Sequence, residues 1–291
     1  MPTVRLDAGT IHYENAGPAD GRPVVFVHGY AMGASLWRPL SERLAQRGLR
    51  CIAPTWPLGA HPEPMRRDAD LTMGGVAGII ASFLEALGLD DVVLVGNDTG
   101  GAIAQIVAGT HPQRLGALVL TSCDAFEHFP PPILRPLIAA SRTPALFRLA
   151  LRPVGSRAGR RHAYGKLAHA DLDALSAEWV RPALSNRAVA EDLRRFTASM
   201  VRSVTVEAAA RLPTFTKPAL VAWSAEDAFF DVADGRRLAE LLPDGRFALI
   251  ERARTFSMID QTDELAQLLG EFAAGGTPPG APLVPDKSHI A

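Results

Sequence analysis

Cysteine occurs twice and lysine three times in this 291-residue chain. The two cysteines, Cys51 and Cys123, are too few for a disulfide framework or a structural zinc site. Both fall in apolar, strand-like runs, so buried free thiols in a reducing cytoplasm are expected. Lysine is confined to Lys166, Lys217 and Lys287, and arginine supplies the rest of the 30 basic residues, a pattern that reads as coding bias. Net charge is scarce too: 30 basic against 31 acidic residues give −1, no electrostatic reason to expect nucleic acid or an anionic membrane as partner. No uncharged apolar run is long enough to span a bilayer, and no charged-then-apolar segment precedes the first strand; a cytoplasmic location is expected. There is no metal-ligand constellation and no phosphate-cradling glycine loop. No cofactor and no metal are therefore expected. The expected partner is a small molecule, with a homodimer left open.

What the chain does have is apolar content, 47% of its residues, enough for a single domain of this length to bury a large core. Short β-branched runs alternate with longer helical patterns, the signature of an α/β fold with a mostly parallel, eight-stranded sheet flanked by helices. Thr3–Leu6 and Thr10–Glu14 read as a hairpin. Strands are expected at 23–28, 49–53, 91–96, 115–121, 219–223 and 246–250. Helices are expected at 35–46, 73–87, 101–108, 235–242 and 263–272. Between Phe126 and Pro213 helical patterning persists, with helices at 171–180 and 188–201, and no run reads as a strand. This gives a core of residues 1–123 and 214–275, a helical cap inserted at 124–213, and a flexible tail at 276–291. Trp37 is expected in the core. Ile133, Leu137, Phe147 and Leu151 of the cap would line an apolar cavity if they face inward.

Gly96-Asn97-Asp98-Thr99-Gly100-Gly101 lies between the most apolar strand and a helix. That is the context of a nucleophile elbow, with glycines where strand and helix approach too closely for a Cβ. Its centre is Asp98, whose carboxylate is a competent nucleophile toward saturated carbon and yields an ester. A plain turn with helix-capping chemistry would also use these residue types.

From about Val4 to Phe272 the chain resembles the α/β-hydrolase-fold superfamily, and within it the Asp-nucleophile branch of haloalkane dehalogenases and epoxide hydrolases. Val27-His28-Gly29-Tyr30 matches the family's His-Gly motif, which implies one oxyanion amide at Tyr30 beside His28; the second is implied at Thr99. Asp124–Pro131 resembles the entry to the lid, and Trp223–Phe230 places Asp227 at the position of the triad acid. In Ile250–Ala266 the family's catalytic histidine position is held by Thr255, and no histidine lies between Pro243 and Phe272. Thr99 also replaces the Trp or Arg that relatives carry after the nucleophile, and Tyr164 is the one tyrosine of the lid.

A threonine hydroxyl has no accessible basic form near neutral pH, so the resemblance implies an incomplete triad. Three readings follow. The base is relocated to His61 or His128, whose loops can lie at the strand ends. Asp98 instead acts as general acid or base in an elimination, isomerisation or cyclisation. Or the protein binds a ligand without turnover. Asp124 is an alternative acid, although capping the first lid helix is its expected role. Tyr164 is equally well placed as a solvated helix end.

Overall fold

The computed structural model describes residues 1–276; the tail expected at 276–291 lies, apart from Gly276, outside them. Eight strands form one sheet: β1 (Thr3–Leu6), β2 (Gly9–Ala16), β3 (Pro23–Val27), β4 (Arg50–Pro54), β5 (Val92–Asp98), β6 (Leu115–Cys123), β7 (Ala219–Ser224) and β8 (Gly245–Ile250). Their spatial order is β1-β2-β4-β3-β5-β6-β7-β8. The β1–β2 and β2–β4 pairs are antiparallel, and every pair from β4 to β8 is parallel. Strand order reverses around β3 and β5, and in such sheets ligands bind beyond the C-terminal strand ends at that reversal.

The central strands are apolar without alternation because both faces are covered. Val25, Val27, Leu94 and Leu120 point into one core, while Val24, Phe26, Val95 and Val119 point into the other. The flanking helices are α1 (Arg38–Ala45), α2 (Met73–Ala86) and α3 (Thr99–Thr110). Six more follow between β6 and β7: α4 (Arg135–Ala140), α5 (Pro144–Leu151), α6 (Arg157–Tyr164), α7 (Asp173–Ser185), α8 (Arg187–Ala198) and α9 (Arg202–Arg211). The sheet is completed against α10 (Val232–Leu241), α11 (Ser257–Asp260) and α12 (Thr262–Ala273). Among the described residues no strand lies between Cys123 and Ala219.

Two elements differ from the sequence reading. The helix expected over 35–46 is a 3-10 turn at Ala34–Trp37 followed by α1. Pro39, in the first turn of α1, has no N–H to continue a helix from upstream but fits a helix start. The elbow is also tighter than expected: β5 runs through Asp98 itself and α3 starts at Thr99. Trp37 is fully buried and stacks on Phe26 at 4.7 Å between ring centroids. Both cysteines are buried free thiols.

Candidate active site

Asp98 ends β5 at φ 55°, ψ −135°, a conformation that costs a non-glycine residue roughly 1–3 kcal/mol. Close packing enforces it. A Cβ on Gly100 would lie 2.3 Å from the Val27 carbonyl oxygen, and one on Gly29 would lie 2.2 Å from Asp98 Oδ1. Only glycine lets these three backbone segments meet. Held there, Asp98 Oδ1 accepts the Thr99 N–H at 2.6 Å and the Tyr30 N–H at 3.1 Å. The two amides expected to form an oxyanion site thus converge on the Asp98 carboxyl and leave its Oδ2 outside their grip.

His28 supports this arrangement from behind. Its Nε2 accepts the Trp56 N–H at 2.9 Å, which puts the ring proton on Nδ1, 3.0 Å from the Gly29 carbonyl. The ring is fully buried, and burial lowers its pKa to about 4. It is a neutral positioning group that fixes the turn carrying the Tyr30 amide, and it does not line the cavity.

Three carboxyls share the site. Burial raises the pKa of Asp98 against the hydrogen bonds from Thr99 and Tyr30, and the charge of Asp227 raises it further. Asp124 is displaced well upward, first by burial and then by the charge of Asp98. The Thr99 hydroxyl donates to Asp124 Oδ2 at 2.8 Å. Asp124 therefore does not cap the first lid helix as expected: the 3-10 turn at Phe126–His128 starts from Ala125 with no side-chain cap. Asp227 is raised by burial, partly offset by the Phe229 and Phe230 amides that donate to its Oδ1.

Thr255 stands beside Asp227. Its hydroxyl donates to Asp227 Oδ1 at 3.0 Å, and its carbonyl accepts from Asn97 Nδ2 at 2.9 Å. The threonine is fully buried, and Asp227 Oδ2 is buried with no hydrogen-bond partner among the described residues. A hydroxyl, and no imidazole, is therefore the side chain that bonds Asp227 Oδ1.

The two candidate loop histidines make pairs of their own. His61 is buried, its Nδ1 accepting the Gly59 N–H and its Nε2–H donating to Asp192 Oδ2 at 3.2 Å. His128 is exposed and binds Asp234 Oδ2 at 2.6 Å. Neither ring lines the cavity beside Asp98. Each ring instead holds a carboxylate of its own away from the cavity lining. The sequence carried no signal for these pairs: the partners lie 131 and 106 residues away.

That cavity measures about 140 Å³. Asp98, Thr99 and Tyr30 form its floor, with Met32, Leu134, Leu137, Leu151, Val180 and Phe230 among its apolar walls. Ile133, Leu137 and Leu151 line it as expected, whereas Phe147 does not and packs in the core. Leu193 and Phe230 were not singled out from the sequence, since their spacing is that of any packed element. Tyr164 is a buried wall of the cavity, not a solvated helix end. Its hydroxyl donates to the Ala31 carbonyl at 2.9 Å. The Tyr30 hydroxyl lies 2.6 Å from Thr197 Oγ1, which itself donates to the Leu193 carbonyl, so Tyr30 is the donor there. Both phenolic protons are thus committed to oxygens of the protein. Among the described residues no group of three or more His, Cys, Asp or Glu is arranged to hold a metal ion.

Residues 22–262 match the model of the α/β hydrolase fold family. The chain belongs to that family. Among curated α/β hydrolase relatives, a haloalkane dehalogenase of Mesorhizobium japonicum is 34% identical over 142 residues, covering 47% of this chain and 45% of that protein. The chain thus matches less than half the length of that dehalogenase. A 2-hydroxy-6-oxononadienedioate/2-hydroxy-6-oxononatrienedioate hydrolase of Paraburkholderia phymatum is 26% identical over 284 residues, covering 92% of this chain and 93% of that protein. The crystal structure of haloalkane dehalogenase DbeA from Bradyrhizobium elkani superposes with a TM-score of 0.76 at 18% identity, over 94% of this chain and 96% of that one. The last comparison speaks for the fold alone.

Proposed function

We propose that this α/β hydrolase performs the first half of a dehalogenase-like reaction on a small, largely apolar molecule. The observation that carries it is the elbow: a carboxyl at its centre, one oxygen held by two backbone amides, at the floor of an apolar cavity. Asp98 Oδ2 attacks a saturated carbon, the C–O bond of an ester forms, and the carbon–halogen bond breaks with its electron pair leaving as halide. An epoxide is the other electrophile of this class, but its ring oxygen needs a proton on opening. The phenols beside the cavity donate to Thr197 and Ala31 instead, which favours the halide.

Hydrolysis of the ester requires a base, and Thr255 is not one. Loss of a triad member typically slows turnover by about 10⁴-fold, so the alkyl ester should accumulate. Incubation with panels of alkyl halides and epoxides, followed by intact mass measurement, tests this. The expected result is one alkyl group per chain, mapped to Asp98 and absent from Asp98→Asn, with turnover appearing in Thr255→His. No adduct on any panel member, or an adduct that survives Asp98→Asn, overturns the reading.

A second reading draws on the burial of the Asp98 carboxyl. Burial, with the charge of Asp227 added to it, raises the pKa of Asp98, and a protonated Asp98 is a general acid for a one-step isomerisation or elimination, which needs no second half-reaction. Rate then falls with rising pH, whereas alkylation of Asp98 rises, so the pH profile separates the two.

A further inference from the structure

The chain-wide charge of −1 conceals a segregation. From His128 to Ala170 the sequence contains no Asp or Glu, yet seven arginines and one lysine. Eight positive charges in this stretch leave −9 on the rest of the chain. The stretch folds as α4, α5, the 3-10 turn at Arg152–Gly155, and α6, packed on one another at the start of the cap. Arg157 and Arg160 turn to Asp171 and Asp173. Arg135, Arg142, Arg148, Arg152, Arg161 and Lys166 are exposed, and none of them makes an ion pair among the described residues.

Exposed leucines lie in the same stretch. In α5, Phe147 and Leu151 are buried one turn apart, so the opposite side of the helix carries Leu146 and Leu149, 53% and 56% exposed. A helix with one side in the core normally shows water a polar opposite side. The cavity also opens here, since Ile133 and Leu184 line it while 43% and 39% exposed.

We propose that this part of the cap docks on an anionic lipid surface, with the arginines among the head groups and Leu146 and Leu149 in the acyl boundary. Apolar molecules dissolved in that layer then meet the mouth of the cavity directly. Basic residues interleaved with exposed leucines match the chemistry of an interfacial helix. A single-stranded nucleic acid would call for exposed aromatic platforms, and Tyr164, Phe147 and Phe129 of this stretch are all buried. A second copy of the same face is excluded by its own charge. The inference is independent of the chemistry at Asp98.

Co-sedimentation of the full chain with vesicles tests it, using phosphatidylcholine alone and phosphatidylcholine containing phosphatidylglycerol, at low and high salt. Binding is expected to the anionic vesicles alone and to weaken with salt. Each of Arg142→Gln and Arg148→Gln should weaken it about fivefold, and the pair about 25-fold. Leu146→Ser with Leu149→Ser should weaken it at unchanged charge. All four side chains are exposed, so melting temperatures should stay at the wild-type value. Equal binding to both vesicle types, no binding to either, or binding to a single-stranded RNA without binding to vesicles overturns the proposal.

Discussion

Asp98 is asked to be a nucleophile in surroundings that disfavour its charge. Burial and the neighbouring Asp227 raise its pKa, and two amides only partly restore the carboxylate. Since only the ionised form attacks carbon, the rate of alkylation should climb with pH through the elevated range of Asp98 and then level off. Asp227→Asn keeps an oxygen for the Phe229 and Phe230 amides but removes the repelling charge. It should move that rise to lower pH, as measured by adduct formation against time at a series of pH values; an unmoved profile would rule out the charge as cause. Asp124 affects stability in the same sense. Its folded pKa lies above the unfolded value of about 3.9, so its stabilising contribution is complete below that value and is lost as pH rises through the folded one. Asp124→Asn can still accept from Thr99, and it should raise the melting temperature more at pH 8 than at pH 4.

The elements were legible where one physical cause dominates. Continuous apolar runs flanked by turn residues marked the central strands, because a strand covered on both faces has no polar side to interrupt it. The pair Gly100-Gly101 marked close approach, and the structure supplies the contacts, Val27 and Cys123; Gly29, read only as part of the His-Gly motif, proves to meet Asp98. Gly100→Ala should therefore destabilise the fold by about 3 kcal/mol in chemical denaturation, and Gly29→Ala should abolish adduct formation even where the chain still folds. Thr255 drew notice because the resemblance implies a histidine at its place in Ile250–Ala266. Its bond to Asp227 and its carbonyl bond to Asn97 were not legible, since they join segments 28 and 158 residues apart. The same holds for His61 and His128. A histidine in a loop looks alike in sequence whether it faces a cavity or a distant carboxylate, and only tertiary packing decides.

Over the whole molecule, cap and core are tied through buried polar bonds as well as apolar packing. His61 and the Met65 amide both bind Asp192 of α8, and the Tyr30 hydroxyl binds Thr197 of the same helix. His61→Ala leaves the buried Asp192 with one donor fewer and should cost about 2 kcal/mol of stability, read by denaturant titration. Alkylation of Asp98 should be unaffected; turnover by the wild-type chain that a folded His61→Ala variant loses, with the ester then accumulating, would reinstate His61 as the base. Averaged over the whole chain, the charge of −1 is the sum of a basic segment at 128–170 and an acidic remainder. Separated charges of that size give the protein a permanent electric dipole, with the stretch from His128 to Ala170 on its positive side. Near any negatively charged boundary such a molecule experiences a torque before it makes a contact. The field then turns that stretch, which supplies Ile133 and Leu151 to the cavity wall, toward the boundary ahead of the encounter.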